Sequence, residues 1–544
     1  MLVPMPPDGV SPNGAPLALR AAPTRVREVA VVGAGFGGLG TALTLAEAGV
    51  DVVLFEQLRY PGGCASTFTR GGRRYESGAT LFSGFGPGQL MRRWIDRHGL
   101  DVPFAAMDPL VELRTPDFTL PIPPSRTAFL DRLVALEGVP EAPTRRFFAM
   151  QERSADTLWS LLSSPELLPP FGARALLTHA RRVPRYLPLL GQVGRPLATL
   201  LRRHGLGDCA PLRAVLDAVC QITVQAGVDE VEAPFALGAM DYYFRGTGHV
   251  HGGVGVLAEA LVQAVRQEGG DVRMPDGVKS LRRDDAADNR GGWVLTSRKG
   301  VTRARTVVLN LLPQAAQRLL GVGPGAQPRL DALATRVESG WGAAMLYLTL
   351  GEGALTREEA HHLELVVDPA APFVEGNHLF VSVGGTDEGK AAARERTVTI
   401  STHVPMAKLR ALPEEARGAY VGDVQARMRA GLAARAPEIE AGIVHAMTAS
   451  PRTFARFTGR DFGYVGGVPR RAGLASYAGL WPRPVAPNLH LVGDTVFPGQ
   501  STLATALGGV KLAERLVARL GSSRRRLPPP LTDASEDETR LAAE

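Results

Sequence analysis

Apolar residues near the start of the chain follow two different periods. The run EVAVV at 28–32 is almost wholly apolar, which is typical of a strand buried on both faces. The segment GLGTALTLAEAG at 38–49 has helical apolar spacing, and DVVLFE at 51–56 is a second strand-like run. The pattern predicts a βαβ unit with a parallel sheet.

The same criterion divides the rest of the chain. Residues 251–284 predict a glycine loop, an amphipathic helix and strands, and RTVVLNLLP at 305–313 predicts another buried parallel strand. Residues 125–240 have helical patterns. Residues 335–480 alternate strand patterns with one long helix at 414–435, which indicates an antiparallel sheet covered by helices.

A glycine-rich turn joins the first predicted strand to its helix. One glycine permits the tight turn, the next lets the backbone approach a pyrophosphate, and the last lets helix pack on strand. A phosphate would lie at the helix N-terminus, and the acid that ends the second strand can accept from ribose hydroxyls. The sequence therefore predicts dinucleotide binding by Gly33, Gly35, Phe36, Gly37, Gly38 and Glu56.

A second glycine pair, Gly62 and Gly63, follows Glu56 within QLRYPGGCASTF. It lets another stretch of backbone approach the cofactor, and Ser66 or Thr67 can offer hydroxyl groups. No second strand–GxGxxG–helix unit occurs later, so we expect no separate NAD(P)H site.

The stretch NLHLVGDTVFPGQSTLATALGG at 488–509 predicts a strand, a Gly-Asp turn and an apolar helix close to the C-terminus. Taken alone, Asp494 is a helix cap or turn residue. Paired with the N-terminal motif, the stretch is the second half of a ligand site.

The composition is that of an ordinary globular protein. The 544 residues are 45% hydrophobic and 21% charged, and the net charge of +7 makes an anionic surface a plausible partner. We predict no metal site, because no Cys/His cluster has zinc spacing. We also predict no nucleic-acid partner. The three cysteines form no Cys-x-x-Cys pair, which favours a reduced, cytoplasmic protein. The chain contains no run of about 18 apolar residues, so we expect no membrane-spanning segment.

Residues 167–207 contain seven arginines and no Asp or Glu, mixed with apolar and proline-interrupted stretches. This composition suits a lipid headgroup interface. It equally suits a helical cap whose arginines are solvated, and both interpretations stay open.

Candidate catalytic residues do not stand out. His204, His249 and His251 are expected to be structural, and Cys64 a buried small residue beside the cofactor. The segment DYYFRG at 241–246 places three aromatic residues either along a substrate tunnel or in the core.

Three stretches resemble the carotenoid desaturase and isomerase family of flavoproteins, and most closely the carotenoid 3,4-desaturases. They are PGGCASTFTRGGRRYESGATLFSGFGPG, SPRTFARFTGRDFGYVGG and LVGDTVFPGQSTLATALGG. The resemblance covers about residues 27–520. It implies an α/β fold with a Rossmann-type FAD-binding domain, an inserted mixed sheet for substrate, and a helical cap.

The resemblance also implies the cofactor and further site residues. The cofactor would be FAD, with the backbone near Val278 at the adenine, Asp494 at the ribityl chain and a helix N-terminus from Ser501 at the flavin ring. The C-terminal residues implied are Gly493, Asp494, Ser501, Thr502 and Leu503. No catalytic residue follows from the motifs.

The implied activity is FAD-dependent desaturation beside the polyene of an acyclic, including 1-hydroxylated, carotenoid. Oxygen or a quinone would accept the electrons. A carotene cis-trans isomerase, a carotenoid ketolase and an amine oxidase are alternative enzymes on the same fold. A prenyl-protein escort protein without flavin catalysis is the alternative from another class.

The predicted FAD domain is discontinuous, comprising residues 26–115, 245–330 and 485–521. A helical, membrane-facing cap at 116–244 and a substrate sheet at 331–484 are inserted into it, and the ends at 1–25 and 522–544 are predicted tails. We expect a cytoplasmic protein that is peripheral on the inner face of the membrane.

Overall fold

The computed structural model describes residues 25–520, except 79, 163, 165–166, 170, 285–290, 393 and 479–482. The predicted tails lie outside the described residues, apart from residue 25.

The described residues form 18 strands. They are β1 (Arg27–Val32), β2 (Val52–Phe55), β3 (Thr67–Arg70), β4 (Arg73–Glu76), β5 (Phe104–Ala105), β6 (Val111–Arg114), β7 (Thr119–Ile122), β8 (His249–Val250), β9 (Asp271–Arg273), β10 (Val278–Asp284), β11 (Gly292–Ser297), β12 (Val301–Leu309), β13 (Trp341–Leu350), β14 (His361–Val366), β15 (His378–Val383), β16 (Arg396–Pro405), β17 (Ile443–Ala449) and β18 (Leu489–Leu491).

Helices alternate with these strands and also form one uninterrupted helical region. They are α1 (Phe36–Glu47), α2 (Leu90–His98), α3 (Arg126–Val134), α4 (Glu141–Leu162), α5 (Ala173–Leu190), α6 (Leu197–Arg203), α7 (Ala210–Thr223), α8 (Ala233–Ala239), α9 (Val254–Gln267), α10 (Pro313–Leu320), α11 (Pro328–Glu338), α12 (Met406–Ala411), α13 (Glu414–Arg435), α14 (Pro437–Ala441), α15 (Pro451–Thr458), α16 (Ala475–Ala478) and α17 (Thr502–Leu520).

The first sheet has the strand order β10-β11-β12-β1-β2-β9, with β18 beside β12. Strands β9, β2, β1, β12 and β18 are parallel neighbours. Val29 and Val31 of β1 pack under α1, α9 and α17, whereas Ala30 and Val32 face a second core with α10 and α11. Burial on both faces explains the continuous apolar run, and it confirms the predicted Rossmann-type α/β fold.

Helices α1 and α17 bring the two ends of the chain together. A Cβ added to Gly40 would lie 2.7 Å from the carbonyl oxygen of Ala506, and one added to Gly509 would lie 2.2 Å from that of Gly37. Small residues at this crossing therefore allow the two helix backbones to approach closely. The C-terminal helix consequently lies beside the N-terminal glycine turn.

The second sheet has the order β17-β13-β16-β15-β14-β6-β7. Its neighbours are antiparallel except for the parallel pair β6 and β14. The chain therefore enters this sheet at β6, before the predicted boundary at residue 115, and β7 lies in the sheet instead of the cap. These strands have only four residues each, which is too short for a clear periodic signal.

Helices α3 to α8 form the helical cap, as the pattern over 125–240 predicts. Apart from α5, these helices share one apolar core with the β6–β7 hairpin, including Leu113, Leu120, Phe147 and Leu212. Of the helices that the structure describes, none is both long and apolar enough to cross a membrane.

Candidate active site

The glycine turn after β1 is packed as its sequence predicts. Gly33 has a φ of +98°, a left-handed conformation that favours glycine. A Cβ on Gly38 would lie 2.0 Å from the carbonyl oxygen of Gly33, so Gly38 allows α1 to start directly against the strand. The first turn of α1 carries no acidic side chain, and its free N–H groups favour an anion.

The second glycine pair lies against the first. Gly62 forms a parallel bridge with Gly35 and donates its N–H to the carbonyl oxygen of Ala34 at 2.8 Å. Gly63 follows with its own left-handed φ of +63°. Two stretches of bare backbone therefore flank one groove, as the sequence predicts for a cofactor that needs both.

Ser66 and Thr67 are not brought to this groove. The Ser66 hydroxyl donates to the Gly63 carbonyl oxygen, and the Thr67 hydroxyl donates to Glu76. Both side chains are buried and neither lines the cavity, so the structure places no cofactor hydroxyl contact at these two positions.

Glu56 lies at the carboxyl end of β2 and faces the groove. Its two carboxylate oxygens accept from the N–H groups of Ala34 at 2.8 Å and Leu58 at 2.9 Å. Burial raises the pKa of Glu56, although these backbone donors oppose the shift. Each oxygen keeps a lone pair that can accept from a ribose hydroxyl.

The C-terminal motif closes the other side of the groove. The Ser501 hydroxyl accepts from the N–H of Ala504 at 3.0 Å and so caps α17. Asp494 is paired with Arg460, whose Nη2 lies 2.7 Å from Asp494 Oδ2. Asp494 therefore does more than occupy a turn, because its carboxylate forms an ion pair with a partly buried guanidinium.

One cavity of about 1030 Å³ joins these features. Sequence-predicted residues from both ends of the chain line it: Gly33, Gly35, Phe36, Gly37, Glu56, Gly62, Gly63, Val278, Gly493, Asp494, Ser501, Thr502 and Leu503. Gly38 does not line the cavity, and its role is to let α1 pack closely against the strand. The predicted site is thus assembled from segments as far apart in sequence as Gly33 and Leu503.

Comparisons with known proteins agree with this geometry. Residues 31–98 match the family model described as an NAD(P)-binding Rossmann-like domain. The chain is 25% identical to prolycopene isomerase 1 of an Oncidium hybrid cultivar, over 93% of this chain and 86% of that protein. It is 26% identical to the neurosporene-forming phytoene desaturase of Rhodobacter capsulatus, over 45% of each chain.

By their names these relatives are carotenoid isomerases and a carotenoid desaturase, and the chain resembles that family of flavoproteins. Solved structures support the fold alone. A putrescine oxidase variant is 16% identical with a TM-score of 0.59, covering 91% of this chain and 100% of that one. An oxidoreductase from Methanosarcina mazei has a TM-score of 0.55 at 17% identity, covering 90% and 100%.

FAD is the cofactor of this flavoprotein, and the groove fits it. The α1 N-terminus and glycine turn suit the pyrophosphate, and Glu56 suits the adenosine ribose. Val278 lines the same cavity, where its backbone would meet the adenine. Bound FAD supplies a two-electron acceptor. The chain's own residues hold it, orient it and exclude water from the cavity.

Asn310, Arg460 and Arg470 also line the cavity, although no sequence motif pointed to them. Asn310 follows β12, where its side chain would lie within 2.9 Å of a Cβ on Gly35, Gly37 or Gly493. An amide at the carboxyl end of a buried parallel strand was a usable signal. The two arginines gave no such signal, because they lie in irregular segments after α15.

The cavity extends from the flavin groove into an apolar arm. Trp159, Leu162, Phe235, Met345 and Phe380 line it, and among the described lining residues the carboxylates are Glu56 and Asp494. Both of these belong to the cofactor groove. An amine substrate would find no counter-charge among the residues described in this arm.

The aromatic segment after α8 divides between the two expected roles. Tyr242 lines the cavity and donates its hydroxyl to the Leu81 carbonyl oxygen at 3.0 Å. Tyr243 is buried against Glu364, and Phe244 packs on Phe129. Only the first of the three contributes to the tunnel.

Two titratable cavity residues are neutral by burial. Burial lowers the pKa of His403 to about 3, so its imidazole stays uncharged at neutral pH. Burial raises the pKa of the Cys64 thiol, although the nearby Arg460 opposes the shift. Cys64 lines the cavity as a free thiol beside the groove, but it is only partly buried, whereas the sequence analysis expected a buried residue.

Proposed function

We propose that the protein is an FAD-dependent carotenoid desaturase that introduces a double bond next to the polyene of an acyclic carotenoid, including 1-hydroxylated ones. The observation that carries the proposal is the single cavity that runs from the flavin groove into an arm lined by aromatic and aliphatic side chains. Each of the two carbons of a C–C single bond would lose one hydrogen, one as a hydride and the other as a proton. Bound FAD would supply the hydride acceptor, and the proton would be released to water. Oxygen or a quinone then reoxidises the cofactor.

The lining supports this chemistry by what it offers to a polyene. Conjugation delocalises charge that develops at the reacting bond, so the protein mainly has to position that bond and exclude water. The apolar arm and the uncharged His403 would position the polyene and exclude water, and neither task needs a dedicated acid–base pair.

A second candidate is redox-neutral cis-trans isomerisation of a carotene. The match to prolycopene isomerases over 93% of this chain favours it. Isomerisation and desaturation place the same demands on the cavity but differ in whether electrons leave the active site.

The deciding experiment is expression in cells that make lycopene or 1-hydroxylated acyclic carotenoids, with chromatography and mass spectrometry of the pigments. We expect a product that is lighter by two hydrogens and absorbs at longer wavelength. An unchanged mass with a shifted retention time would support the isomerase, and a gain of oxygen would support a ketolase. The control is the same strain with an empty vector. Unaltered pigments with a flavin-loaded protein would contradict the proposal.

We also propose that helix α5 docks the protein on an anionic lipid bilayer at the inner face of the membrane. Leu187 and Leu190 of α5 are 58% and 68% exposed, and Leu176, Leu177 and Val183 are exposed as well. The exposed arginines of the same segment, Arg174, Arg181 and Arg185, form no ion pair with a carboxylate among the described residues. Apolar and basic side chains on one helix match a headgroup interface.

The position of α5 connects this surface to the cavity. Leu167, Leu168 and Phe171, just before the helix, and His179 within it line the apolar arm. A water-insoluble polyene could therefore pass from the bilayer to the flavin without crossing bulk water.

Binding to liposomes tests this docking. We expect the double variant Arg181→Ser, Arg185→Ser to lose about 2 kcal/mol, at about 1 kcal/mol per charge near the surface. That corresponds to a roughly 30-fold weaker partition into anionic vesicles. Raising the salt concentration should weaken binding of the parent protein in the same direction. Arg182 is left intact because it is partly buried.

A matched control removes the same charge elsewhere. Arg282 on edge strand β10 and Arg298 in the turn between β11 and β12 are also exposed, so Arg282→Ser, Arg298→Ser should leave binding almost unchanged. Equal losses of vesicle affinity in both double variants would mean that binding depends on the net charge of the protein and not on α5. Equal binding of the parent to neutral and anionic vesicles would refute the docking proposal.

A further inference from the structure

Arg470 is a buried guanidinium without a counter-ion at the cavity wall. Its residue is 3% exposed and lines the cavity. Across the described chain no carboxylate oxygen lies within 4.0 Å of its guanidinium nitrogens. Nη1 is buried without any hydrogen-bond partner, although a buried charged group that lacks partners is costly. Such an arrangement persists where a ligand supplies the missing interaction.

Neighbouring residues hold this guanidinium firmly. Its Nη2 donates to the Pro498 carbonyl oxygen at 3.0 Å, and its carbon lies 5.1 Å from the ring centroid of Phe235. Gly499 has a φ of +111°, which favours glycine, and a Cβ there would lie 1.6 Å from Nη2, so the loop passes close to the arginine. Arg470 is thus fixed against the segment that leads into α17.

The charge of Arg470 is present at neutral pH. Burial lowers its pKa to about 10, still well above neutrality, and Asp494 partly opposes this shift. Asp494 itself is paired directly with Arg460, so it does not neutralise Arg470.

The N-terminus of α17 lies two to four residues beyond the contacts of Arg470. A helix N-terminus carries a partial positive charge, and Ser501, Thr502 and Leu503 at this end line the cavity. Two positive groups therefore converge on the end of the groove where the flavin ring is expected.

We propose that Arg470 stabilises negative charge on the flavin ring and so raises the midpoint potential of bound FAD. When FAD takes up two electrons and one proton, it gains one net negative charge at neutral pH. A fixed cation in a site of low dielectric favours that form over the neutral oxidised form. The inference rests on FAD binding and not on the identity of the carotenoid.

Spectroelectrochemical titration of the holoprotein tests the proposal. We expect Arg470→Met to weaken binding of the reduced form relative to the oxidised form by about tenfold or more. For a two-electron couple this lowers the midpoint potential by about 30 mV for each factor of ten. Arg470→Lys, which keeps the charge, should retain most of the parent potential.

Arg471 provides a neighbouring control. Its side chain is partly exposed, pairs with Glu230 at 2.9 Å and does not line the cavity, so Arg471→Met removes the same charge outside the cavity. We expect its potential to match that of the parent. A parent-like potential in Arg470→Met, or an equal fall in Arg470→Met and Arg470→Lys, would overturn the proposal.

A second probe covers the case in which Arg470→Met does not fold. Sulfite adds to oxidised flavins and leaves a negative charge on the ring, so its dissociation constant reports the same stabilisation. We expect Arg470→Gln to bind sulfite about tenfold more weakly than Arg470→Lys. Equal sulfite affinities would contradict the role of the charge. Neither measurement depends on carotenoid turnover, so a failed pigment assay would leave this test intact.

Discussion

Asp494→Ala should release FAD from the protein. The lost contact is a hydrogen bond to a charged acceptor, worth roughly 1.5–3 kcal/mol. FAD affinity should therefore fall by roughly 10- to 150-fold, at about 1.4 kcal/mol per decade. The measurement is fluorescence titration of deflavinated protein with FAD.

The structure adds a second consequence to this change. Arg460 and Asp494 are ion-paired at 2.7 Å and mostly buried, so Asp494→Ala leaves the guanidinium without its partner. Breaking a buried pair costs about 3 kcal/mol at the lower end of the usual range. From the sequence we would expect the fold to be unaffected. Because the ion pair is lost, we also expect Asp494→Ala to lower the free energy of unfolding.

A pair of further variants separates these effects. Arg460→Met removes the pair but keeps the carboxylate, and Asp494→Asn keeps an acceptor oxygen but removes the charge. If Asp494 contacts the ribityl chain, Asp494→Asn should bind FAD more tightly than Asp494→Ala. Parent-like FAD affinity in Asp494→Ala would show that the residue serves the ion pair alone.

Gly38→Ala should both destabilise the protein and empty the cofactor site. The added Cβ would lie 2.0 Å from the Gly33 carbonyl oxygen, and this backbone atom cannot rotate away. Helix α1 would have to move off β1, although its apolar residues are fully buried there. Overpacking of this kind costs about 1–3 kcal/mol or more. The same movement displaces the N–H groups proposed to bind the pyrophosphate.

Thermal unfolding and flavin content measure the two parts of this prediction. The control is Gly418→Ala in the long helix α13, where a Cβ would meet nothing within 4 Å and φ is not left-handed. Because alanine is the better helix former, this variant should be more stable by about 0.5–1 kcal/mol. A Gly38→Ala protein with parent-like stability and full FAD content would refute the packing argument.

The local parts of the cofactor site could be predicted from sequence because each depends on a short segment. Gly33, Gly35 and Gly37 line the cavity because a strand, a tight turn and a helix follow one another within a few residues. The same applies to the long helix α13, whose bounds match the predicted 414–435. Ser66 and Thr67 show the limit of such reasoning, because a hydroxyl near a glycine motif can bond elsewhere in the core.

The amino-acid sequence by itself determined the Rossmann-type unit, the flavin motifs at both ends, the helical cap and the long strands of the second sheet. Each of these depends on apolar period or on glycine conformation within a continuous segment. Only the tertiary structure decided that Asp494 pairs with Arg460, that Asn310 packs on three glycines, and that β6 joins the second sheet. It also decided that Arg470 lies buried beside the cavity with no carboxylate partner among the described residues. These features join residues distant in sequence, and their partners are set by how helices and sheets pack, which no local pattern encodes.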